Sequence, residues 1–290
     1  MTPEIPGTLG AAVSRAAEIL ADAGVPSPRT DAELLAEHLV GGGLGRLRAL
    51  MLTDAPTPEG YGELVAERAR RIPLQHITGI AYFRYLELKV GPGVFIPRPE
   101  TESVAQLVID RALSLPHPRV VDLGTGSGAI AGAVAQEVPQ AEVHAVEFST
   151  LAHAWAERNL APLGVQLVQG DLRDALPEYD GTADVVVSNP PYIPAAAIPN
   201  EPEVALHDPP EALYGGGDDG MELPTAAAAS AARLLKGGGF FVMEHAEIQA
   251  GWIAALLERT GDWLQITTHQ DLNGKDRATS AVRAATRPSQ

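Results

Sequence analysis

The sequence predicts an α/β fold: a doubly wound parallel sheet closed by a C-terminal antiparallel hairpin, preceded by a small helical N-terminal domain and a β-hairpin linker. Three observations predict it. From about residue 120 onward, short continuous apolar runs alternate with helix-period segments, as in parallel strands covered on both faces. Near the C-terminal end, Asn273-Gly274 separates two strand-like runs and signals a tight turn. Residues from about Leu9 to Arg71 instead carry apolar positions at helical spacing. The expected boundaries are residues 1–72 for the helical domain, 73–97 for the linker and 98–290 for the sheet domain.

Leu9, Val13, Ala16-Ala17 and Leu20 define the first helix, which Gly24 and Pro26 end. Thr30-Asp31 is expected to cap a second helix, with Leu34, Leu35, Leu39 and Val40 apolar and Gly41-Gly42-Gly43 closing it. A third is expected from about Pro58 to Arg71. Arg68, Arg70 and Arg71 then fall in its last turn, where cations suit the helix dipole and the solvent. Alternating residues from Ala81 to Val90 make the hairpin, Gly91-Pro92-Gly93 a turn and Val94-Phe95-Ile96 a short strand. Pro97-Arg98-Pro99-Glu100-Thr101-Glu102 starts a helix; its proline and acids suit a first turn, but Arg98 between two prolines is not explained by helix-start chemistry.

The sheet strands follow. Val120 to Leu123 leads into Gly124-Thr125-Gly126-Ser127-Gly128 and a helix through about Val138. Glu142 to Glu147 is the second strand, with Ser149 capping the next helix. Val165 to Val168 is the third, ending in Gly170-Asp171-Leu172. Asp184 to Val187 is the fourth, and Phe240 to Glu244 the fifth after a long irregular loop and a helix from Pro224 to Leu235. A helix from about Gln249 leads to the closing pair, Trp263 to Thr268 and Thr279 to Ala284. Nucleotide-binding dehydrogenases do not usually end on such a hairpin.

Composition excludes some classes. At 290 residues and 45% apolar content the chain can bury two cores. No run approaches the roughly 18 apolar residues of a membrane span, and MTPEIPGTLG lacks a signal-peptide pattern. Without cysteine there are no disulfides or thiolate metal sites, which fits the cytoplasm; no metal centre is expected. A formal charge of −16 opposes a large nucleic-acid footprint, so stable nucleic-acid binding is not expected.

The chemistry sits at the strand ends. After the fourth strand, Asn189-Pro190-Pro191-Tyr192 cannot continue as helix or sheet, because proline fixes φ and donates no N–H. The corner is therefore rigid and lies where open α/β sheets bind ligands. The Asn189 oxygen and a backbone carbonyl together match the two hydrogens of a planar NH2, and the Tyr192 ring can pack on a flat conjugated group. An amide and an exocyclic base amine fit equally well. Gly124, Gly126 and Gly128 let backbone approach a second ligand closely; the spacing also permits a dinucleotide reading. Glu147 falls where an acid meets ribose hydroxyls, and Asp171 near where an adenine amine would lie.

With these residues the chain resembles class I S-adenosylmethionine-dependent methyltransferases, whose sheet is Rossmann-like. Within them it resembles the HemK/PrmC family of peptide-chain release-factor glutamine methyltransferases. The matching motifs are PLQHITG at 73–79, VFIPRPETE at 94–102, VVDLGTGSGAIA at 120–131, SNPPYI at 188–193 and DLNGKDR at 271–277. Glu147 stands where the family more commonly has Asp, Leu172 where some relatives have an aromatic, and Glu244-His245-Ala246 where Glu-Ile-Gly is usual.

The resemblance implies S-adenosyl-L-methionine as cofactor, held by Gly124, Thr125, Gly126, Ser127, Gly128, Glu147, Asp171, Leu172 and Asn189. It implies catalysis at Asn189, Pro190 and Tyr192, and substrate contacts from those residues, Pro191 and Arg98. The helical domain would recognise the substrate, a glutamine in the Gly-Gly-Gln motif of release factors. The alternatives are an adenine-amine methyltransferase on DNA or RNA, a glutamine methyltransferase on a ribosomal protein, a non-catalytic S-adenosylmethionine sensor and, on the glycine loop alone, a dehydrogenase.

Overall fold

The computed structural model describes residues 4–285. The chain forms two compact units. One runs to Ile80 and also takes in Pro199–His207; the other comprises Ala81–Ile198 and the chain from Asp208 onward. The helical unit thus ends later than residue 72, and borrows a segment from the long loop behind the Asn-Pro-Pro-Tyr corner.

The helical unit contains α1 (Leu9–Asp22), α2 (Pro28–Val40), α3 (Gly43–Leu52), α4 (Tyr61–Ala69) and α5 (Leu74–Thr78). Leu9, Val13, Ala16 and Leu20, read as one face of α1, pack with Leu35, Leu47, Tyr61 and Val65. The Tyr61 hydroxyl, buried, donates to the Ala32 carbonyl at 2.8 Å. Sequence did not indicate α3, because three glycines at its start resemble a terminator. Gly41, Gly42 and Gly43 all take positive φ, which turns the chain before the helix restarts. The cap of α2 is Ser27 with Pro28 following it, so Thr30-Asp31 lies inside the helix.

Asp31 is buried and accepts a 2.7 Å bond from Arg68 Nε. Arg68 is only 5% exposed, which corrects its assignment to a solvated helix end. Its Nη2 donates to Glu203 in α9 (Pro202–His207) at 2.8 Å, and Arg71 donates to both Glu203 oxygens. Burial alone would raise the Glu203 carboxyl, yet the bonds from Arg71 and Arg68 outweigh it and hold it down at about 2.

In the second unit β1 (Ile80–Phe83) and β2 (Leu86–Lys89) form the two-stranded hairpin. Phe83, Leu86 and Leu88 share a core with Val104, Val108, Ile130 and Val134, so the hairpin is packed rather than a free connector. Val94–Ile96 forms no strand; Val94 and Ile96 are buried without joining a ladder. Then come α6 (Thr101–Leu113), β3 (Arg119–Leu123), α7 (Ala129–Glu137), β4 (Glu142–Glu147), α8 (Thr150–Leu160), β5 (Gln166–Gln169) and β6 (Ala183–Ser188). After α10 (Pro210–Leu213) follow α11 (Glu222–Leu234), β7 (Leu235–Glu244), α12 (Ala250–Thr260), β8 (Trp263–Gln270) and β9 (Asp276–Arg283).

The seven-stranded sheet has the order β5-β4-β3-β6-β7-β9-β8. β3 to β7 run parallel, and β9 pairs antiparallel with both β7 and β8. Two apolar clusters pack on the sheet, one built around Val120, Val185 and Val187, the other around Val121, Val186 and Phe241. Every residue of β6 is buried, as the apolar run Val185–Val187 at its centre requires. The strand order reverses between β3 and β6, which places a ligand crevice beyond their carboxyl ends. No helix among the described residues is long and apolar enough to cross a membrane.

Candidate active site

Strand register aligns the site. Leu123 pairs with Val146 on one side and with Ser188 on the other, and Ser188 pairs with Met243. The residues one step further form a row across four strand tips: Glu147, Gly124, Asn189 and Glu244. The Ser188 hydroxyl locks the centre of the row by donating to the Leu123 carbonyl at 2.7 Å.

At one end is the glycine loop. Gly124 and Gly126 have φ of 78° and 58°, and a Cβ on either would enter open space rather than strike protein. Protein therefore leaves the loop backbone uncovered at these two positions. Gly128 serves a different purpose: a Cβ on it would meet Leu160 at 2.7 Å, so it is required by helix packing. The Thr125 hydroxyl turns inward to Asp122 at 2.7 Å, and Ser127 is buried. Asp122, 1% exposed, also accepts from the Ala131 amide, while its Oδ1 has no hydrogen-bond partner among the described residues. Burial pushes the Asp122 carboxyl up to about 6.

Glu147 is 8% exposed and accepts from the amides of Gly126 and Ser149, both at 2.8 Å. Burial raises its pKa and those amides oppose the shift. Each oxygen keeps a lone pair for a ligand hydroxyl. Beside it Phe148 is 64% exposed, a ring the sequence did not single out. Asp171 is engaged by Arg173, whose bonds hold its carboxyl below the usual range. Leu172 is buried and packs in the core with Leu123 and Val146. The open glycine backbone, the free lone pairs of Glu147 and the exposed Phe148 ring fit an adenosyl group.

At the other end the corner is braced on several sides. The Tyr192 carbonyl accepts from Gln249 Nε2 at 2.9 Å. Ile193 N donates to the Leu213 carbonyl, and Gly215 N to that of Ile193. A Cβ on Gly215 would stand 2.7 Å from the Pro191 carbonyl, and one on Gly220 2.4 Å from that of Tyr192. The loop after Tyr192 is therefore folded against the corner by bare backbone. Arg98 bonds Asp208 at 3.2 Å and lies 5.2 Å over the Phe95 ring.

Tyr192 is set among Glu244, Arg277, Glu100 and Arg98, and burial pushes its phenol well up, keeping it protonated. Thus the motif segments at 98–102, 189–192 and 271–277 converge here. Glu244 is 2% exposed, and Thr101 and Asn189 lie against its carboxyl. Strand-tip logic extended to the fifth strand would have found it. Among the described residues no cluster of three or more His, Asp or Glu is placed to hold a metal.

The Methyltransferase small domain model matches residues 86–218, and the PrmC N-terminal domain model residues 11–79. The chain is 51% identical over 277 residues to a release factor glutamine methyltransferase of Streptomyces coelicolor, covering 94% of this chain and 98% of that protein. It is 47% identical to the protein of the same description from Mycolicibacterium smegmatis, covering 96% and 98%. A third relative, a 4-amino-L-phenylalanine/4-methylamino-L-phenylalanine methyltransferase of Streptomyces pristinaespiralis, is 39% identical over 98% of this chain and 97% of that protein.

Proposed function

Since the chain belongs to the release factor glutamine methyltransferase family, as its full-length relatives show, we propose that it methylates the side-chain amide nitrogen of the glutamine in the Gly-Gly-Gln motif of peptide chain release factors. The observation that carries this reading is the row of strand tips. An acid and an open glycine loop stand beside Asn189 at the point where strand order reverses.

Gly124 and Gly126 would pass their backbone along S-adenosylmethionine, Glu147 would accept from its ribose hydroxyls, and Phe148 would cover its base. When bound, that cofactor supplies a methyl carbon already activated by a sulfonium. An amide nitrogen is a weak nucleophile because its lone pair is shared with the carbonyl. The chain's task is therefore position and electrostatics. The Asn189 oxygen and the Pro190 carbonyl accept the two amide hydrogens, fix the nitrogen's direction and favour the positive charge that develops on it. Tyr192, kept neutral, packs on the flat amide. The amide nitrogen would take the methyl carbon as the carbon–sulfur bond breaks, its electron pair staying on sulfur as a neutral thioether, and one amide proton would then be lost to water. Arg98, held by Asp208, orients the rim of the same corner, and the helical unit engages the body of the release factor. A release factor substrate also implies a cytoplasmic enzyme.

The 39% identical relative favours a second reading, methylation of a small aromatic amine, since an arylamine presents the same planar NH2. Labelled S-adenosylmethionine should be incubated with the full chain and, in separate reactions, release factor, release factor carrying Gln→Ala in the motif, 4-amino-L-phenylalanine, a ribosomal protein fraction and DNA. Label in intact release factor alone is expected. Label in the Gln→Ala protein, or only in the amino acid, ribosomal or DNA reaction, would overturn the proposal.

A further inference from the structure

We propose that Glu244 is a positioning residue for the transfer: its buried carboxylate receives the Asn189 carboxamide N–H and so turns the Asn189 oxygen outward to the substrate nitrogen. This deepens the reading above and rests on it.

Register brings the two side chains together. Ser188 pairs with Met243, so the next residues stand side by side on adjacent parallel strands. Glu244 is 2% exposed, Thr101 4%, and both lie with Asn189 in one cluster. Glu244 Oε2 and Thr101 Oγ1 have no hydrogen-bond partner at normal geometry among the described residues. A buried carboxyl left in that condition is unfavourable, and packing alone gives no reason to keep it. Hydrogen bonds in active sites are often loose without substrate and tighten when it binds.

The chemistry explains its presence. A carboxamide has nearly the same shape after a 180° rotation, and only its neighbours decide which end points where. An outward NH2 would meet the substrate NH2 donor to donor. A carboxylate can only accept, so it draws the Asn189 NH2 inward and leaves the oxygen for the substrate. Glu244 thereby makes the corner selective for a nitrogen that carries hydrogens.

The groups facing Glu244 are Thr101 and the charged Glu100 from the start of α6, Asn189 and Tyr192 from the corner, and Arg277 from β9. His245, next in sequence, is held by Thr279 Oγ1 and the Ala246 carbonyl, and burial lowers its pKa. Burial pushes the Glu244 carboxyl up to about 7; Glu100 adds to the rise, while Thr101, Arg277 and Asn189 oppose it. Protonation turns a pure acceptor into a group that also donates, so turnover should fall as pH drops through about 7.

The test measures kcat, KM and the pH profile of Glu244→Gln, Asn189→Ala and the double variant, with labelled S-adenosylmethionine and release factor. Glutamine can present either end to Asn189, so Glu244→Gln should lower kcat about tenfold, the difference between a charge-assisted and an ordinary hydrogen bond. KM and cofactor affinity should stay within about twofold, and the acidic limb of the profile should disappear. The double variant should be no slower than Asn189→Ala alone, because Glu244 acts through Asn189. If the two losses multiply, or Glu244→Gln keeps wild-type kcat and profile, the inference is overturned. Should that variant not fold, Glu244→Asp, which withdraws the carboxylate by one methylene, should turn over slowly and keep its acidic limb; wild-type kcat there overturns the inference equally. Full turnover by Asn189→Ala would instead overturn the underlying reading of the site.

Discussion

At the scale of single residues, Asn189 and Glu147 separate two functions that share one row. Asn189 is half-buried at the switch point, with nothing covalent to contribute; its effect is the placing of hydrogen bonds. Asn189→Ala should therefore lower turnover by about 10²–10³, the loss typical of one oriented donor or acceptor. Cofactor affinity, read by calorimetry, should change far less. Glu147→Ala should do the reverse, weakening S-adenosylmethionine binding by about tenfold or more, because a hydrogen bond to an ionised group contributes roughly 1.5–3 kcal/mol. Unchanged affinity would remove Glu147 from the cofactor site. The carboxyl of Glu244 also has a cost in stability. Its folded pKa of about 7 lies above the ordinary 4.5, so the folded state holds the proton longer and stability falls as pH rises between those values. Thermal unfolding of Glu244→Gln should show a melting temperature above that of the wild type at pH 8, with the gap closing towards pH 4.

At the scale of elements, the corner depends on the loop that follows it. Gly220 has a φ of 74° and lies against the Tyr192 carbonyl and Pro194 N, leaving no space for a side chain. Gly220→Ala should cost about 1–3 kcal/mol in stability through strain and overlap, and should also slow turnover, since the overlap pushes directly on the corner. A variant that melts and turns over like wild type would show the loop to be a bystander. Apart from the expected Val94–Ile96 strand, which does not form, and the early start of β7 at Leu235, sequence predicted the main strands and helices of the sheet unit within a few residues, because continuous apolar runs, Gly and Pro punctuation and the Asn273-Gly274 turn are local signals. It did not indicate α3, α5, α9 and α10. Glycine-rich or short, proline-flanked segments hold their helices through tertiary packing, which no local pattern records.

At the scale of the whole molecule, the loop's middle belongs to the helical unit and its ends to the sheet unit. Glu203 fixes that middle through Arg68 and Arg71, and Arg68 reaches on to Asp31. Glu203→Gln should destabilise the chain by about 2 kcal/mol at neutral pH, at or below the lower end for breaking a buried pair because Glu203 keeps some exposure. The sign with pH follows from a depressed folded pKa. The contribution is complete above the ordinary 4.5 and is lost as pH falls towards about 2. Wild type and variant should therefore converge in urea unfolding at low pH; a difference unchanged down to pH 3 would contradict the pairing.

By itself the sequence determined the sheet, its closing hairpin, the rigid Asn-Pro-Pro-Tyr corner, the glycine loop and the acid at Glu147. All of these are written in runs of neighbouring residues whose backbone preferences are local. Only the tertiary structure decided that Gly128 lies against Leu160 and Leu172 against Leu123 and Val146, that Thr125 faces Asp122, that Arg68 is buried, and that Glu244 stands beside Asn189. Those facts depend on which strands lie side by side and in what register, and register is set by packing between residues far apart in the chain.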